Sequence, residues 1–390
     1  MRKSPVIAAT AVLLAATACG TPGETAGAGE DGPVRIGIVY SSTGPLASYG
    51  EQYRQGFEAG LDHATNGTME IGGRAVEVEF MDDAGDPATG VSAARELIGT
   101  GHDVIAGSVS SGIAVQIAPL AEQNDVLFVS GPAATDAITG INDHTFRSGR
   151  QTYQDILTAS TFIDDPDGAN VVVLAQQNAF GQANVATVTE VLEAEGATVD
   201  SVLAPPDSTD LTPFAEQVNQ AEPDLVFVAW AGETASAMWQ ALDQQGVLDT
   251  TEVVTGLDIK PSYPVFGEAG DRISFLAYYF DGAAETEVAE IMRGTVEAAG
   301  GEVDLFTPDG FTAAQMVVHA VSSGDDTQER IDALEGWTFD GVKGELHVRA
   351  DDHALIQPMY QVRMVGEGED ARPELIAEIP AADVEPAMAG

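Results

Sequence analysis

The stretch from Val104 to Thr135 constrains the fold more than any other part of the chain, because it has the pattern strand, loop, helix, strand, loop. Val104–Ala106 and Val126–Val129 are short apolar runs typical of buried strands, and Ile113–Gln123 has helical spacing. Two parallel strands joined by a helix end at the same edge of a sheet. The stretch therefore predicts an α/β fold with a parallel sheet.

Small polar residues follow both predicted strands at that edge. Ser110 and Ser111 precede the helix, and Thr135 ends the second loop. The N–H groups at a helix N-terminus are unpaired and can bind an anion such as a carboxylate. Ser and Thr before a helix also serve as simple N-caps. The residues alone leave both an anion site and a capping role open.

The charge balance excludes whole classes of partner. The chain of 390 residues has 62 acidic and 16 basic residues, a net charge of −46. Nucleic acids and anionic membrane surfaces need a basic face, so we expect neither as a partner. Crowded carboxylates repel one another unless salt screens them, which predicts a salt-tolerant or salt-requiring protein. The length predicts two lobes rather than one core.

The N-terminus has the features of a secretory signal. Residues 1–18 join a positive start to a short apolar run that ends in small residues before Cys19. This ending resembles the lipobox of bacterial lipoproteins, which implies cleavage before Cys19 and its lipidation; ordinary secretion with a chance cysteine stays open. Residues 19–33 are rich in Gly, Ala and Thr and predict a flexible tether. We therefore expect an extracytoplasmic body anchored to the cell membrane.

Alternating strand and helix patterns occupy most of the body and restart near residue 150. They predict two Rossmann-like lobes with parallel sheets joined by a hinge of crossover strands. Alternation at 341–348 and 357–365 predicts strands that pair as a hairpin. The predicted division is 34–149 plus 283–338 for lobe 1, 150–282 plus 339–378 for lobe 2, and 379–390 for a C-terminal tail.

Motifs for catalysis, cofactors or metals are missing from the sequence. There is no GxxxxGK[ST] phosphate loop and no HExxH pair. The segment SVSSG approaches the nucleophile elbow GxSxG, but Ser108 replaces its first glycine. A secreted α/β hydrolase is the enzyme alternative, and it would need such an elbow. We expect no enzyme, no cofactor and no metal site.

Six segments carry a resemblance that covers residues 34 to about 365. The sequence resembles the branched-chain amino acid (leucine/isoleucine/valine) and amide family of ABC-transporter substrate-binding proteins, which have a type I periplasmic-binding fold. The resemblance implies a monomeric body whose hinged lobes close on a small molecule and deliver it to an ABC permease. The segments are IGIVYSSTGPLASYG (36–50), DDAGDP (82–87), AGSVSSG (106–112), SGPAAT (130–135), QNAFGQA (177–183) and FDGVKGEL (339–346).

The same resemblance implies roles for individual residues. Ser111 and Thr135 would hold the ligand's carboxylate through side chain and backbone N–H. The carbonyl of Ala133 and the carboxylate of Asp258 would bind an α-ammonium group; a turn or capping role for Asp258 stays open. The predicted ligand-binding residues are Tyr49, Ser110, Ser111, Ala133, Ala134, Thr135, Phe180, Trp230 and Asp258.

Aromatic residues in the predicted cleft leave the ligand class open. Trp230 ends a buried strand, where a flat ring would contact an apolar side chain or an aromatic ligand. Tyr49 and Phe180 can instead pack within their own lobes. The segment ADDHALIQPMYQV (350–362) resembles a branch of the family whose ligands are often not aliphatic amino acids. The alternatives are an aromatic acid or amide as ligand, or a sensor that acts with a separate signalling chain.

Overall fold

The computed structural model describes residues 32–163, 165–266, 270, 272–366 and 368–389. The predicted signal peptide, Cys19 and nearly all of the predicted tether lie outside the described residues. No helix within the described ranges combines the length and apolar character needed to cross a membrane.

The first sheet is built from the N-terminal part of the chain and has the strand order β2-β3-β1-β4-β5-β6. Its strands are Val34–Tyr40 (β1), Glu70–Ile71 (β2), Arg74–Asp82 (β3), Val104–Gly107 (β4), Leu127–Ser130 (β5) and Thr145–Arg147 (β6). Its helices are Ala47–Ala64 (α1), Pro87–Gly99 (α2) and Ser111–Gln123 (α3). All neighbouring strands except β2 and β3 are parallel, as the sequence predicts.

The second sheet begins with Asn170–Gln176 (β7), Thr198–Ala204 (β8), Leu225–Ala229 (β9), Glu252–Gly256 (β10) and Ile273–Ala277 (β11). These strands pair in parallel. The helices of this region are Thr152–Ser160 (α4), Ala179–Ala194 (α5), Thr212–Gln220 (α6), Ala235–Gln244 (α7), Val247–Thr250 (α8) and Tyr263–Phe266 (α9). Helices cover the sheet faces, so β9 is buried along its whole length.

The chain then returns to the first sheet through Glu287–Ala298 (α10), Thr307–Ser323 (α11) and Thr327–Leu334 (α12). α11 packs closely on α1 because glycines face the contact. A Cβ at Gly56 would lie 1.9 Å from the Thr307 carbonyl oxygen, and one at Gly310 would lie 2.0 Å from that of Tyr53. Larger residues would therefore push the two helices apart.

The C-terminal strands differ from the predicted hairpin. Thr338–Gly341 (β12), Gly344–Val348 (β13) and Leu355–Ile356 (β14) form a small antiparallel sheet. Met359–Val365 (β15) and Arg372–Ile379 (β16) instead extend the second sheet beside β11, which gives the order β16-β15-β11-β10-β9-β7-β8. The hairpin prediction was wrong because alternation identifies a strand without identifying its partner.

The small sheet also lies beside the first sheet, whereas the sequence places residue 339 onward in the second lobe. His353 stacks on Phe146, with ring centroids 3.8 Å apart, and its Nδ1 lies 3.0 Å from the Thr145 carbonyl oxygen. We call the first sheet with α1–α3, α10–α12 and β12–β14 the first lobe, and the second sheet with α4–α9 the second lobe. The chain crosses between them after β6, after β11 and before β15.

Candidate ligand-binding site between the two lobes

A cavity of about 620 Å³ lies between the two lobes, where strands of both sheets end. Loops after β1, β4, β5 and β6 supply one wall, and loops after β7, β9 and β10 supply the other. A cleft at the carboxyl ends of parallel strands is a common place for ligands. Of the predicted ligand-binding residues, those that line the cavity are Tyr49, Ser110, Ser111, Ala134, Phe180, Trp230 and Asp258.

The loops after β4 and β5 meet as the sequence predicts. The backbone N–H of Thr135 donates to Ser111 Oγ at 3.3 Å. Ser110 is the N-cap of α3, but its side chain makes no capping hydrogen bond. Among the described residues, the N–H groups of Ser111 and Gly112 have no recorded partner. The first turn of α3 therefore offers free donors to the cavity.

Thr135 and Ala133 lie behind the cavity wall rather than on it. Thr135 Oγ1 accepts from the N–H of Ala137 at 3.4 Å and so caps a short 3₁₀ turn. Arg147 Nη2 donates to the Ala133 carbonyl at 2.8 Å, and Nη1 donates to the Thr135 carbonyl at 2.9 Å. The Ala133 carbonyl thus already accepts from a cationic donor within its own lobe.

Arg150 is a lining residue that the sequence reasoning missed. It follows β6 at the first crossing between lobes, and among the described lining residues it is the only basic one. Its Nη1 donates to the Pro132 carbonyl at 2.9 Å, and its Nε lies 3.2 Å from Asp155 Oδ2. Its guanidinium carbon lies 4.3 Å from the centre of the Tyr278 ring. These contacts fix the plane of the guanidinium group.

Burial and charge act against each other in this ion pair. Burial, the largest single influence, would lower the pKa of Arg150, but Asp155, Tyr278 and Asp309 together more than offset it, so the pKa of Arg150 is raised. Burial raises the pKa of Asp155 to about 6, although Arg150 opposes the shift. Arg150 is therefore a permanent positive charge in the cavity wall.

Tyr49 connects the two lobes across the cavity. Its hydroxyl donates to Asp258 Oδ1 at 2.8 Å and accepts from the Gly232 N–H at 3.2 Å. Asp258 also accepts from the N–H of Ile259 at 2.8 Å. Burial, followed by the charge of Asp258, raises the pKa of Tyr49 far above its usual value. Asp258 lines the cavity, and its Oδ1 already accepts from two protein donors.

The lobes also touch on the opposite flank of the cavity. Asp136 Oδ2 accepts from Thr187 Oγ1 at 3.1 Å, which links the first lobe to α5. A Cβ at Gly112 would lie 3.9 Å from Ala179 Cβ, so the N-termini of α3 and α5 approach each other. With Tyr49 on the other side, these contacts describe a closed arrangement of the lobes.

Aromatic rings form much of the remaining wall. Trp230 is oriented by its Nε1, which donates to Thr234 Oγ1 at 2.9 Å. The Tyr49 ring packs on Phe306, with centroids 4.4 Å apart, and Phe306 in turn contacts Tyr278 at 5.8 Å. Such walls suit a small ligand with a flat or branched apolar body. The aromatic lining residues are Tyr49, Phe180, Phe227, Trp230, Tyr278 and Phe306.

The comparison with protein families identifies the chain. The model of the family described as periplasmic binding protein matches residues 33–370. The chain belongs to this family. The periplasmic binding protein fold accounts for the two lobes with parallel-dominated sheets and for the repeated crossings between them.

Individual relatives agree with this assignment. The Leu/Ile/Val-binding protein BraC3 of Rhizobium johnstonii is 29% identical over 198 residues, which is 50% of this chain and 53% of that protein; the chain thus matches about half the length of this relative. A branched-chain amino acid ABC transporter structure from Rhodopseudomonas palustris is 30% identical, covers 91% of this chain and 99% of its own, and has a TM-score of 0.75.

A second structure shares the fold at lower identity. The R. palustris solute-binding protein in complex with 4-hydroxybenzoate is 19% identical, covers 89% of this chain and 97% of its own, and has a TM-score of 0.82. Proteins with this fold are thus described as a branched-chain amino acid transporter and as a solute-binding protein in complex with 4-hydroxybenzoate.

Proposed function

We propose that this periplasmic binding protein is the extracytoplasmic solute receptor of an ABC importer, and that it captures a small amino acid or related carboxylate between its lobes. The observation that carries the proposal is the cavity at the carboxyl ends of both sheets, lined by free donors of α3 and by aromatic rings. The ligand leaves chemically unchanged for the permease.

The proposed mechanism is closure of the lobes around the ligand. A ligand that contacts both walls stabilises the closed state over the open one, and it shifts the equilibrium by its differential affinity. The carboxylate would accept from the first turn of α3 and from Ser111. The Tyr49 hydroxyl adds a contact between the lobes that does not require the ligand.

A second ligand class is an aromatic acid or amide. Two observations favour it: the aromatic walls, and the engagement of Asp258 by Tyr49, which leaves the predicted ammonium site partly occupied. The amino acid remains supported by Asp258 itself, because a carboxylate can accept more than one donor. A panel of ligands separates the two classes.

The experiment is a thermal-shift panel on the chain from residue 32 onward, refolded to remove any bound solute. The panel contains the twenty amino acids, benzoate, the hydroxybenzoates, and the amides benzamide and L-leucinamide. A ligand at 100 times its Kd should stabilise the protein by about 2.7 kcal/mol, or several degrees in Tm. No shift with any compound would contradict a receptor for these solutes.

Anchoring is a separate part of the proposal. The segment before Cys19 supports lipidation and placement on the outer side of a cell membrane. Mass spectrometry of the membrane fraction should find a lipidated Cys19, and Cys19→Ser should release the protein from the membrane. A soluble wild-type chain would contradict the anchor and leave solute binding unaffected.

A further inference from the structure

We propose that Arg150 is the ionic partner of the ligand's carboxylate and sets the preference of the site for carboxylates over their neutral amides. This inference rests on the proposed function. It adds a charged residue of the cavity wall to the α3 donors that the sequence predicts.

The first argument is the number of donors that Arg150 has left. A guanidinium group has five N–H donors. Nε points at Asp155 and Nη1 donates to the Pro132 carbonyl. Among the described residues, no partner is recorded for Nη2, although Arg150 is only 8% exposed and lines the cavity. Three of its five N–H donors therefore have no recorded partner among the described residues.

The second argument is preorganisation. Asp155, the Pro132 carbonyl and the Tyr278 ring hold Arg150 from three directions. A guanidinium group in a fixed plane binds a carboxylate through two parallel hydrogen bonds at little entropic cost. The contacts with Asp155 and Pro132 use Nε and Nη1, and Nη2 together with the second N–H of Nη1 remains for a ligand.

The third argument is the charge around Arg150. Arg147 is 1% exposed and Lys343 is 7% exposed, and both lie in the same buried region; Lys343 Nζ is 5.8 Å from the centre of the Tyr278 ring. The buried carboxylates of this region are Asp155 and Asp309, so the three buried cations Arg147, Arg150 and Lys343 outnumber them. A buried cation is costly unless an anion compensates it. A ligand carboxylate would supply that compensation.

Arg147 does not share this role. Its guanidinium donates to the carbonyls of Ala133, Thr135 and Arg150, and it is not among the lining residues. Arg147 positions the loops, whereas Arg150 faces the ligand. Arg330 offers a matched control, because it is 5% exposed and donates to the Asp103 and Gly324 carbonyls, away from the cavity.

The test compares acid and amide binding by calorimetry, with benzoate against benzamide and L-leucine against L-leucinamide. Wild type should bind the acid at least about tenfold more tightly than its amide. Arg150→Gln should weaken binding of the acid by about 10- to 100-fold and change amide binding by less than about threefold. Arg330→Gln should lower Tm and leave the acid-to-amide ratio unchanged.

Two further variants allow the inference to be tested even if Arg150→Gln does not fold. Arg150→Lys keeps the positive charge but loses the planar guanidinium group that donates two parallel hydrogen bonds. Its affinity for the acid should therefore be intermediate between those of wild type and Arg150→Gln. Arg150→Gln combined with Asp155→Asn removes the ion pair without leaving an unpaired buried carboxylate, and it should also lose the acid preference.

The outcomes separate the inference from the proposed function. Equal binding of acid and amide by wild type, or unchanged acid binding by Arg150→Gln, would overturn the role of Arg150 and leave the receptor intact. A similar loss of acid and amide in Arg150→Gln would show a purely structural role. Failure of wild type to bind any compound of the panel would contradict the proposed function itself.

Discussion

The hydroxyl of Tyr49 should stabilise the closed state by a measurable amount. Tyr49→Phe removes the bond to Asp258 at 2.8 Å and the one from the Gly232 N–H at 3.2 Å, but it keeps the ring contact with Phe306. A hydrogen bond to a charged group contributes about 1.5–3 kcal/mol. In the open state water can solvate Asp258 and Gly232. The variant should therefore shift the equilibrium towards the open state by about 10- to 150-fold.

Closure can be followed by fluorescence energy transfer between the lobes. Cys19 is the only cysteine of the sequence, so a chain that starts at residue 32 accepts labels at engineered cysteines. Gln123→Cys and Ala194→Cys place the labels at exposed positions on α3 and α5. Without ligand, Tyr49→Phe should lower the transfer efficiency. The apparent affinity of the Tyr49→Phe variant for ligand should fall in proportion to the population of its closed state.

Tyr40→Phe is the matched control. The Tyr40 ring packs on Phe80 with centroids 5.6 Å apart, and among the described residues no hydrogen bond is recorded for its hydroxyl. It should leave both closure and affinity unchanged. If Tyr49→Phe gives the transfer efficiency of wild type in the absence of ligand, the proposed contact does not hold the lobes together.

Three other predictions concern charge. Asp258→Asn should lower affinity for L-leucine and benzoate by a similar factor of about 10, because the carboxyl acts through Tyr49; a loss confined to L-leucine would instead reveal an ammonium site. Burial raises the pKa of Asp155 and of Asp304 to about 6. Both retain protons in the folded chain that the unfolded chain has released, so the free energy of unfolding should fall as pH rises from about 4 to about 6. Urea titrations in molar salt measure this slope, and a rising or flat profile would refute it. Finally, Tm should increase from low to molar salt, because the net charge is −46; an unchanged Tm would show that self-repulsion contributes little.

The sequence predicted the fold because its signals are local. Buried runs such as Val104–Ala106, with a helix between them, define a parallel sheet, and the contact of Thr135 with Ser111 follows from that topology. The strand partners at the C-terminus were not predictable in this way. β13 pairs with β12 through the turn at residues 341–344, and β15 pairs with β11, which is distant in sequence.

The site was predicted less completely because it depends on distant contacts. Tyr49 and Asp258 are 209 residues apart, and their hydrogen bond cannot be inferred from either motif. One signal for Arg147 and Arg150 was present in the sequence: two of only 16 basic residues lie three positions apart, at and just after the end of β6. Both guanidinium groups matter because they are buried, and their burial can be seen only in the assembled structure, not in the sequence.

The most direct test of ligand binding between the lobes uses Trp230 as a reporter. The sequence has 3 tryptophans, and only Trp230 lines the cavity; Trp239 packs on Phe266, and Trp337 stacks on His319. The variant Trp239→Phe/Trp337→Phe leaves Trp230 as the only tryptophan of the chain. Titration with each compound that raises Tm should change Trp230 emission saturably, with one ligand bound per chain. A compound that raises Tm but leaves Trp230 emission unchanged would place the binding site elsewhere and contradict the account.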